Sequence, residues 1–120
     1  MSNNIPVKQY KNNEDINKIL KNIDYIYEHG FKNIAILTKN SIEANKIYNK
    51  FIKKQTKYNF VKNKINKNSI SIMPSYLSKG LEFDGVIIYN DINNGYNSFE
   101  KNLFYVAVTR SQHILFVYNN

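Results

Sequence analysis

The chain has 120 residues, 42% of them hydrophobic, and a formal net charge of +8. That length suits one compact layered domain over residues 1–120, not a two-lobed enzyme, and the charge points to an anionic partner such as nucleic acid or nucleotide. Without cysteine and with only two histidines, it can build neither a disulfide framework nor a thiolate zinc site, and no metal site is expected.

From the N-terminus, "MSNNIPVKQYKNN" has no hydrophobic signal core, and no run anywhere approaches the roughly 18 apolar residues that span a bilayer. No membrane partner and a reducing, cytoplasmic location are therefore expected. In "EDINKILKNIDYIYEHG", Ile16, Ile19, Leu20, Ile23, Ile26 and Tyr27 recur at three- and four-residue spacing, the stripe of an amphipathic helix that Gly30 caps. "NIAILT" is a short continuous apolar run, the pattern of a strand buried on both faces of a parallel sheet. A helix follows in "NSIEANKIYNKFIKK", with Ser41 or Asn40 as cap and Ile42, Ile47, Phe51 and Ile52 as its inward face.

"KYNFVKNKINKN" reads as a weak strand and a polar turn, "SISIM" as a buried strand stopped by Pro74, and "DGVIIYND" as a third strong strand before the loop "NNGYN". From about Ser98 to Gln112 the rows Leu103/Ala107 and Phe104/Val108 predict a helix, and "ILFVY" closes the chain as a strand. Strands and helices in this alternation predict an α/β fold, a layered sandwich around a mostly parallel sheet.

Charge is unevenly spread. Between Glu43 and Glu82 there is no acid, while Lys46, Lys50, Lys53, Lys54, Lys57, Lys62, Lys64, Lys67 and Lys79 fall inside. Such a stretch is either a polyanion-facing surface or a solvated face in a lysine-rich chain. Arg110 is the single arginine. Its planar fork can hold two phosphate or carboxylate oxygens, which ammonium cannot do, so a lone arginine in "YVAVTRSQH" asks for such a partner or forms a surface salt bridge. Phosphate-cradling G-x-x-x-x-G-K-[ST] and a strand ending in paired acids are both missing, so the chain cannot bind and split a nucleoside triphosphate alone. Gly80, with Lys79 and Glu82 beside it, is placed by this reading at the carboxyl end of the sheet, where α/β folds bind ligands.

"SKGLEFDGVIIY", followed some twenty residues later by "NLFYVAVTRSQHILFVY", resembles motifs V and VI of superfamily-one helicases of the UvrD and Rep type. "NIAILTKNSIEANKIYNKF" falls where motif IV is expected, and the wording of "MPSYLSKGLEFDGVIIY" and "TKNSIEA" is nearest the helicase IV or HelD branch. The resemblance implies a RecA-like, P-loop-NTPase-like second helicase domain, a three-layer sandwich that completes the ATP site of a separate N-terminal P-loop domain. It implies that Arg110 acts as the arginine finger, that Glu82 accepts from the ATP ribose and that Gly80 lies against the nucleotide. ATP with magnesium would be held mainly by that first domain. Ser75, Tyr76 and Lys79 would lie near a nucleic-acid strand, DNA as a single strand or a duplex junction, with the lysine at a phosphate. RNA polymerase is a partner of some HelD-type members.

The chain departs from the pattern at Pro74 and Tyr76, where many relatives have Thr and His, and at Thr38 and Asn45, where motif IV usually has a stacking Tyr and a second Arg. The expectation is the C-terminal domain of an ATP-dependent DNA helicase or translocase, inactive by itself. The alternative is a non-catalytic module that binds nucleic acid or RNA polymerase through its lysine-rich centre.

Overall fold

Residues 7–11, 16–90 and 101–119 are described by the computed structural model of the chain. They run β1 (Val7–Lys11), α1 (Ile16–Glu28), β2 (Ile34–Thr38), α2 (Ser41–Lys53), β3 (Asn59–Lys62), β4 (Ser69–Pro74), β5 (Phe83–Asn90), α3 (Lys101–Arg110) and β6 (Ser111–Asn119). The strands form one six-stranded sheet in the order β1-β6-β5-β2-β4-β3, with every pairing parallel.

The three layers follow from strand alternation. Ile34, Ile36, Ile70, Ile72, Ile87, Tyr89, Ile114 and Phe116 point to one face, where they meet Ile19, Ile23 and Ile26 of α1 and Ala44, Ile47 and Phe51 of α2. The intervening Ala35, Leu37, Met73, Val86, Ile88, Leu115 and Val117 point to the other face and pack on Leu103 and Ala107 of α3. Strands covered on both sides are apolar at nearly every position, which is why "IAILT" reads as an almost continuous run.

Helix α1 ends as the sequence predicts. Gly30 has φ +85°, its N–H bonds the Tyr27 carbonyl at 2.9 Å, and the Phe31 N–H bonds the Ile26 carbonyl at 3.3 Å, the paired bonds of a Schellman cap. At α2, Asn40 rather than Ser41 is the cap, its Oδ1 accepting from the Glu43 N–H at 2.9 Å.

Two expectations are corrected and one element is added. Ile42 and Ile52 are 64% and 58% exposed rather than inward. Each is five residues from Ile47, hence about 140° around the helix at 3.6 residues per turn, while Ala44, Ile47 and Phe51 share one row. The last helix stops at Arg110, and Ser111 and Gln112 already belong to β6, so helix passes directly into strand. Finally β1, for which "VKQYK" gives no apolar run, adds an edge strand beside β6. The loop expected at "NNGYN" and the helix start expected at Ser98 lie outside the described residues.

Candidate functional site

The segment between β4 and β5 determines where the predicted site residues stand. Because these strands both run parallel to β2, the chain leaves β4 at the carboxyl edge of the sheet, after Pro74, and must return to the amino edge to begin β5 at Phe83. A 3-10 turn over Ser75–Ser78 makes the first part of the crossing, and the Ser78 Oγ donates to the Ser75 carbonyl at 2.6 Å. Then Lys79 (φ −57°, ψ 129°) and Gly80 (φ +81°) form the centre of a type II turn, closed by the Leu81 N–H on the Ser78 carbonyl at 2.9 Å. The glycine is required there by its left-handed φ, since a Cβ would meet nothing within 4 Å.

Glu82 and Arg110 each stand one residue before a paired position, because Phe83 is the register partner of Ser111. Their backbones are therefore neighbours across strands about 4.8 Å apart, at the amino edge of the sheet. Gly80 is three residues before β5 and within about 11 Å of chain reach of that edge. This corrects the placement of the Gly80–Glu82 segment at the carboxyl edge; the crossing that parallel pairing demands carries it to the other side.

The amino edge is held by polar contacts. The Asp84 and Gly85 N–H groups both donate to the Asn33 carbonyl, at 2.8 and 3.2 Å, and the Asn33 Nδ2 donates to the Glu82 carbonyl at 3.1 Å. Between Phe83↔Ser111 and Gly85↔Ile114, β6 takes one more residue than β5, a bulge closed by the buried Ser111 Oγ donating to the Ile114 carbonyl at 2.8 Å. His113 leaves the bulge to stack on Phe31, with ring centroids 4.3 Å apart, and its Nε2 lies 3.9 Å from Asp84.

Arg110 is the last residue of α3, where the negative end of the helix dipole favours a cation. Its stem is half-buried. The Thr109 Oγ1 donates to the Val106 carbonyl at 2.7 Å and accepts from the Arg110 Nη1 at 3.0 Å. That fixes one arm of the fork against the helix. The Nε is buried and bonds nothing among the described residues, where Arg110 also has no carboxylate partner. A surface salt bridge is thus not what the guanidinium does within the described chain. A buried donor without a partner costs about 1–3 kcal/mol, so the Nε is a local cost to the fold of the described residues.

The structure brings Glu82 and Arg110 together and separates Ser75 and Tyr76 from them. Tyr76, 64% exposed, stands on the 3-10 turn by the carboxyl end of β4, and exposed Lys79 lies on the path between the two edges. Sequence reasoning missed Asn33 and Thr109. The first is read only from long-range pairing of β2 with β5, whereas Thr109 could have been found from its position beside the single arginine. A second polar feature lies elsewhere, an open groove at the amino end of β3 lined by Asp24, Tyr27, Lys57 and Tyr58 among others. There the Tyr58 hydroxyl donates to Asp24, and Lys57 is 3.4 Å from the same carboxylate. Burial first, then that bond, holds the phenol well above its ordinary pKa.

Among the described residues no group of three metal-ligating side chains is present, and no helix is long and apolar enough to cross a membrane. Residues 69–118, from the first residue of β4 to near the end of β6, match the model of the UvrD-like helicase C-terminal domain family. Among solved structures, the chain is similar to the C-terminal domain of a possible DNA helicase from Lactobacillus plantarum WCFS1. That likeness has a TM-score of 0.74 and 22% identity, over 96% of this chain and 73% of the other. No curated protein matches.

Proposed function

We propose that this chain is the second, RecA-like domain of an ATP-dependent helicase or translocase of the UvrD-like family, nearest on its motif wording to the helicase IV or HelD branch. Its part is to complete, in trans, a nucleotide site whose phosphate-cradling loop and magnesium-binding acids belong to an N-terminal P-loop domain. The observation that carries this reading is the juxtaposition of Arg110 and Glu82 at the starts of β6 and β5, with the arginine Nε buried and unsatisfied. The family match covers both residues.

The residues present fit a nucleotide. Arg110, held on one arm by Thr109, offers a fixed cation toward phosphate oxygens, while the exposed Glu82 carboxylate can accept from a ribose hydroxyl. Bound ATP with magnesium would supply the phosphoryl group whose charge grows during transfer. A guanidinium that neutralises that charge is worth on the order of 10³ to 10⁵ in rate, because it acts in a site already oriented and closed to water. Gly80 serves the geometry indirectly: its turn sets where Glu82 emerges. Tyr76, Ser75 and Lys79, spread from the carboxyl edge toward the middle of the crossing, are the proposed contacts to a nucleic-acid strand, the lysine to phosphate.

In the complete protein, Arg110→Lys should abolish ATP hydrolysis while leaving ATP affinity largely intact, since an ammonium cannot reproduce the fork. Equal loss of binding and turnover would overturn the finger role. The isolated chain should show no ATP turnover, and measurable hydrolysis by it would sink the trans-site reading.

A further inference from the structure

We propose that the β3 edge of the sheet is a second nucleic-acid surface, which binds the phosphate backbone through lysines of α2 and of the β3–β4 connection. It is distinct from the Arg110 edge and from Tyr76 and Lys79, and it does not depend on the nucleotide reading.

Among the described residues β3 is the last strand of the sheet, with β4 as its neighbour. Parallel strands are normally joined by a dozen residues or more, yet β3 and β4 are joined by 63–68. So short a return needs left-handed backbone, and Asn63 (φ 61°) and Asn68 (φ 65°) supply it, asparagine being the residue that best tolerates αL after glycine. The connection is pinned by the Asn63 N–H on the Ile72 carbonyl at 2.9 Å and the Ser69 N–H on the Asn66 carbonyl at 3.2 Å. The Ser71 Oγ on the Lys64 carbonyl at 2.9 Å completes the set. A loop with this many internal bonds presents Lys64 and Lys67 without much further ordering on binding.

Lys50, Lys53 and Lys54 of the α2 C-terminus flank the same strand from the other side, and all five side chains are exposed. None of the five has a carboxylate partner among the described residues, in contrast to Lys46 and Lys57, which lie against Glu43 and Asp24. β3 itself spans about 13 Å, and Phe51 of α2 stacks on its Phe60 with ring centroids 4.4 Å apart, which brings the C-terminal turn of α2 to this strand. No acid occurs from residue 44 to 81, which leaves the surface without internal neutralisation. Edge strands are also guarded by lysine against pairing with another chain. That function needs the charges to repel a second copy, not to bind a polyanion, and the two roles give different measurements.

The test uses this chain and a fluorescein-labelled single strand of about twenty thymidines, with a duplex of equal length as a second probe, by anisotropy over a range of salt. For wild type the affinity should fall with log salt, each lysine–phosphate contact adding about 0.7 to the slope on single strand. Lys64→Glu with Lys67→Glu should weaken binding about tenfold and lower the slope by about 1.4, the melting curve reporting an intact fold. Lys50→Gln with Lys53→Gln, on a different element, should act in the same direction, so loss of folding in one pair does not decide the matter. Binding indifferent to both lysine pairs but lost in Tyr76→Ala or Lys79→Ala would overturn this surface and leave the proposed function standing. No binding by wild type even at low salt would overturn it too. A monomer that begins to self-associate in the lysine variants, with unchanged nucleic-acid affinity, would assign the lysines to edge protection instead.

Discussion

Gly85→Ala should destabilise the chain by about 1–2 kcal/mol, and the structure says through which contact. A Cβ at this position would stand 2.8 Å from the Ile26 Cδ1 and 3.1 Å from its Cγ2. Carbon atoms attract at about 3.5–4.0 Å, so α1 or β5 must yield by roughly 0.7 Å or more, and overpacking of this kind costs about 1–3 kcal/mol. Against it stands the gain of about 0.4–1 kcal/mol from restricting the unfolded chain when glycine becomes alanine. With mid-range values of about 2 and about 0.7 kcal/mol the difference is a net loss of about 1.3 kcal/mol, a sizeable part of the 5–15 kcal/mol that holds an ordinary domain. Urea unfolding monitored by circular dichroism measures it, with an unchanged m-value as the check on two-state behaviour. The decisive arm is Ile26→Val, which removes the Cδ1 atom and alone should cost about 0.5–1.5 kcal/mol. In the double variant the alanine gains the space the methyl vacated, so the combined loss should fall short of the sum by at least about 0.5 kcal/mol. Strict additivity, or a Gly85→Ala protein as stable as wild type, would refute the close approach of α1 to β5.

Gly80→Ala should cost about 1–2 kcal/mol in the same assay, because φ +81° is strained for an L side chain, and Gly80→Asn should cost clearly less; equal losses would mean the turn is not the reason for the glycine. Asn40→Ala removes the α2 cap and should lower stability by about 1 kcal/mol, with Asn40→Ser restoring most of it. Arg110→Met should fold at least as stably as wild type, since it removes a buried unsatisfied donor; a loss above about 1 kcal/mol would show that the guanidinium is structural. The Tyr58 phenol is raised in the folded state, so the native chain keeps its proton where the unfolded chain loses it. Its contribution is fully present below the unfolded value near 10 and is lost as pH rises above it. Wild type should therefore lose stability between about pH 9.5 and 11 more steeply than Tyr58→Phe, and parallel curves would refute the upward shift that burial and the Asp24 bond give the phenol.

The parts of the fold legible in the sequence are those where one residue type has one physical use. "IAILT" could only be a doubly covered strand, and Gly30 after a periodic helix could only be its cap. Ile42 and Ile52 misled because isoleucine abundance is not confined to the buried face, and the angle from Ile47 was the better guide. β1 was illegible since "VKQYK" has neither an apolar run nor a strict alternation, and such an edge strand has no signal apart from its neighbour β6. Gly80, Glu82 and Arg110 stand out in the sequence as a pattern, but their edge of the sheet does not. That depends on β4 and β5 both pairing parallel with β2, a relation between residues more than ten apart. The chain between them has to reverse its position along the sheet, and the type II turn at Lys79–Gly80 is one of the means.

The single arginine in a lysine-rich chain can now be argued from both sides of its energy. A lysine at position 110 would bury only methylenes where the arginine buries Nε, so the fold alone favours lysine. The arginine is held nevertheless at the junction of α3 and β6, with no loop to relax it, a threonine on one arm and a bulge just beyond. Under the function proposed above, the gain that offsets this local cost lies in the nucleotide-bound state rather than in the isolated chain. Here the missing element is an acceptor for Nε. Glu82, one residue from the neighbouring strand's start, makes no ion pair with Arg110, although both stand at the same edge. For the function proposed above, a cation and an acceptor on neighbouring strands would serve a ligand that offers anionic oxygens to one and a hydroxyl to the other, which a nucleotide does and a single phosphate does not.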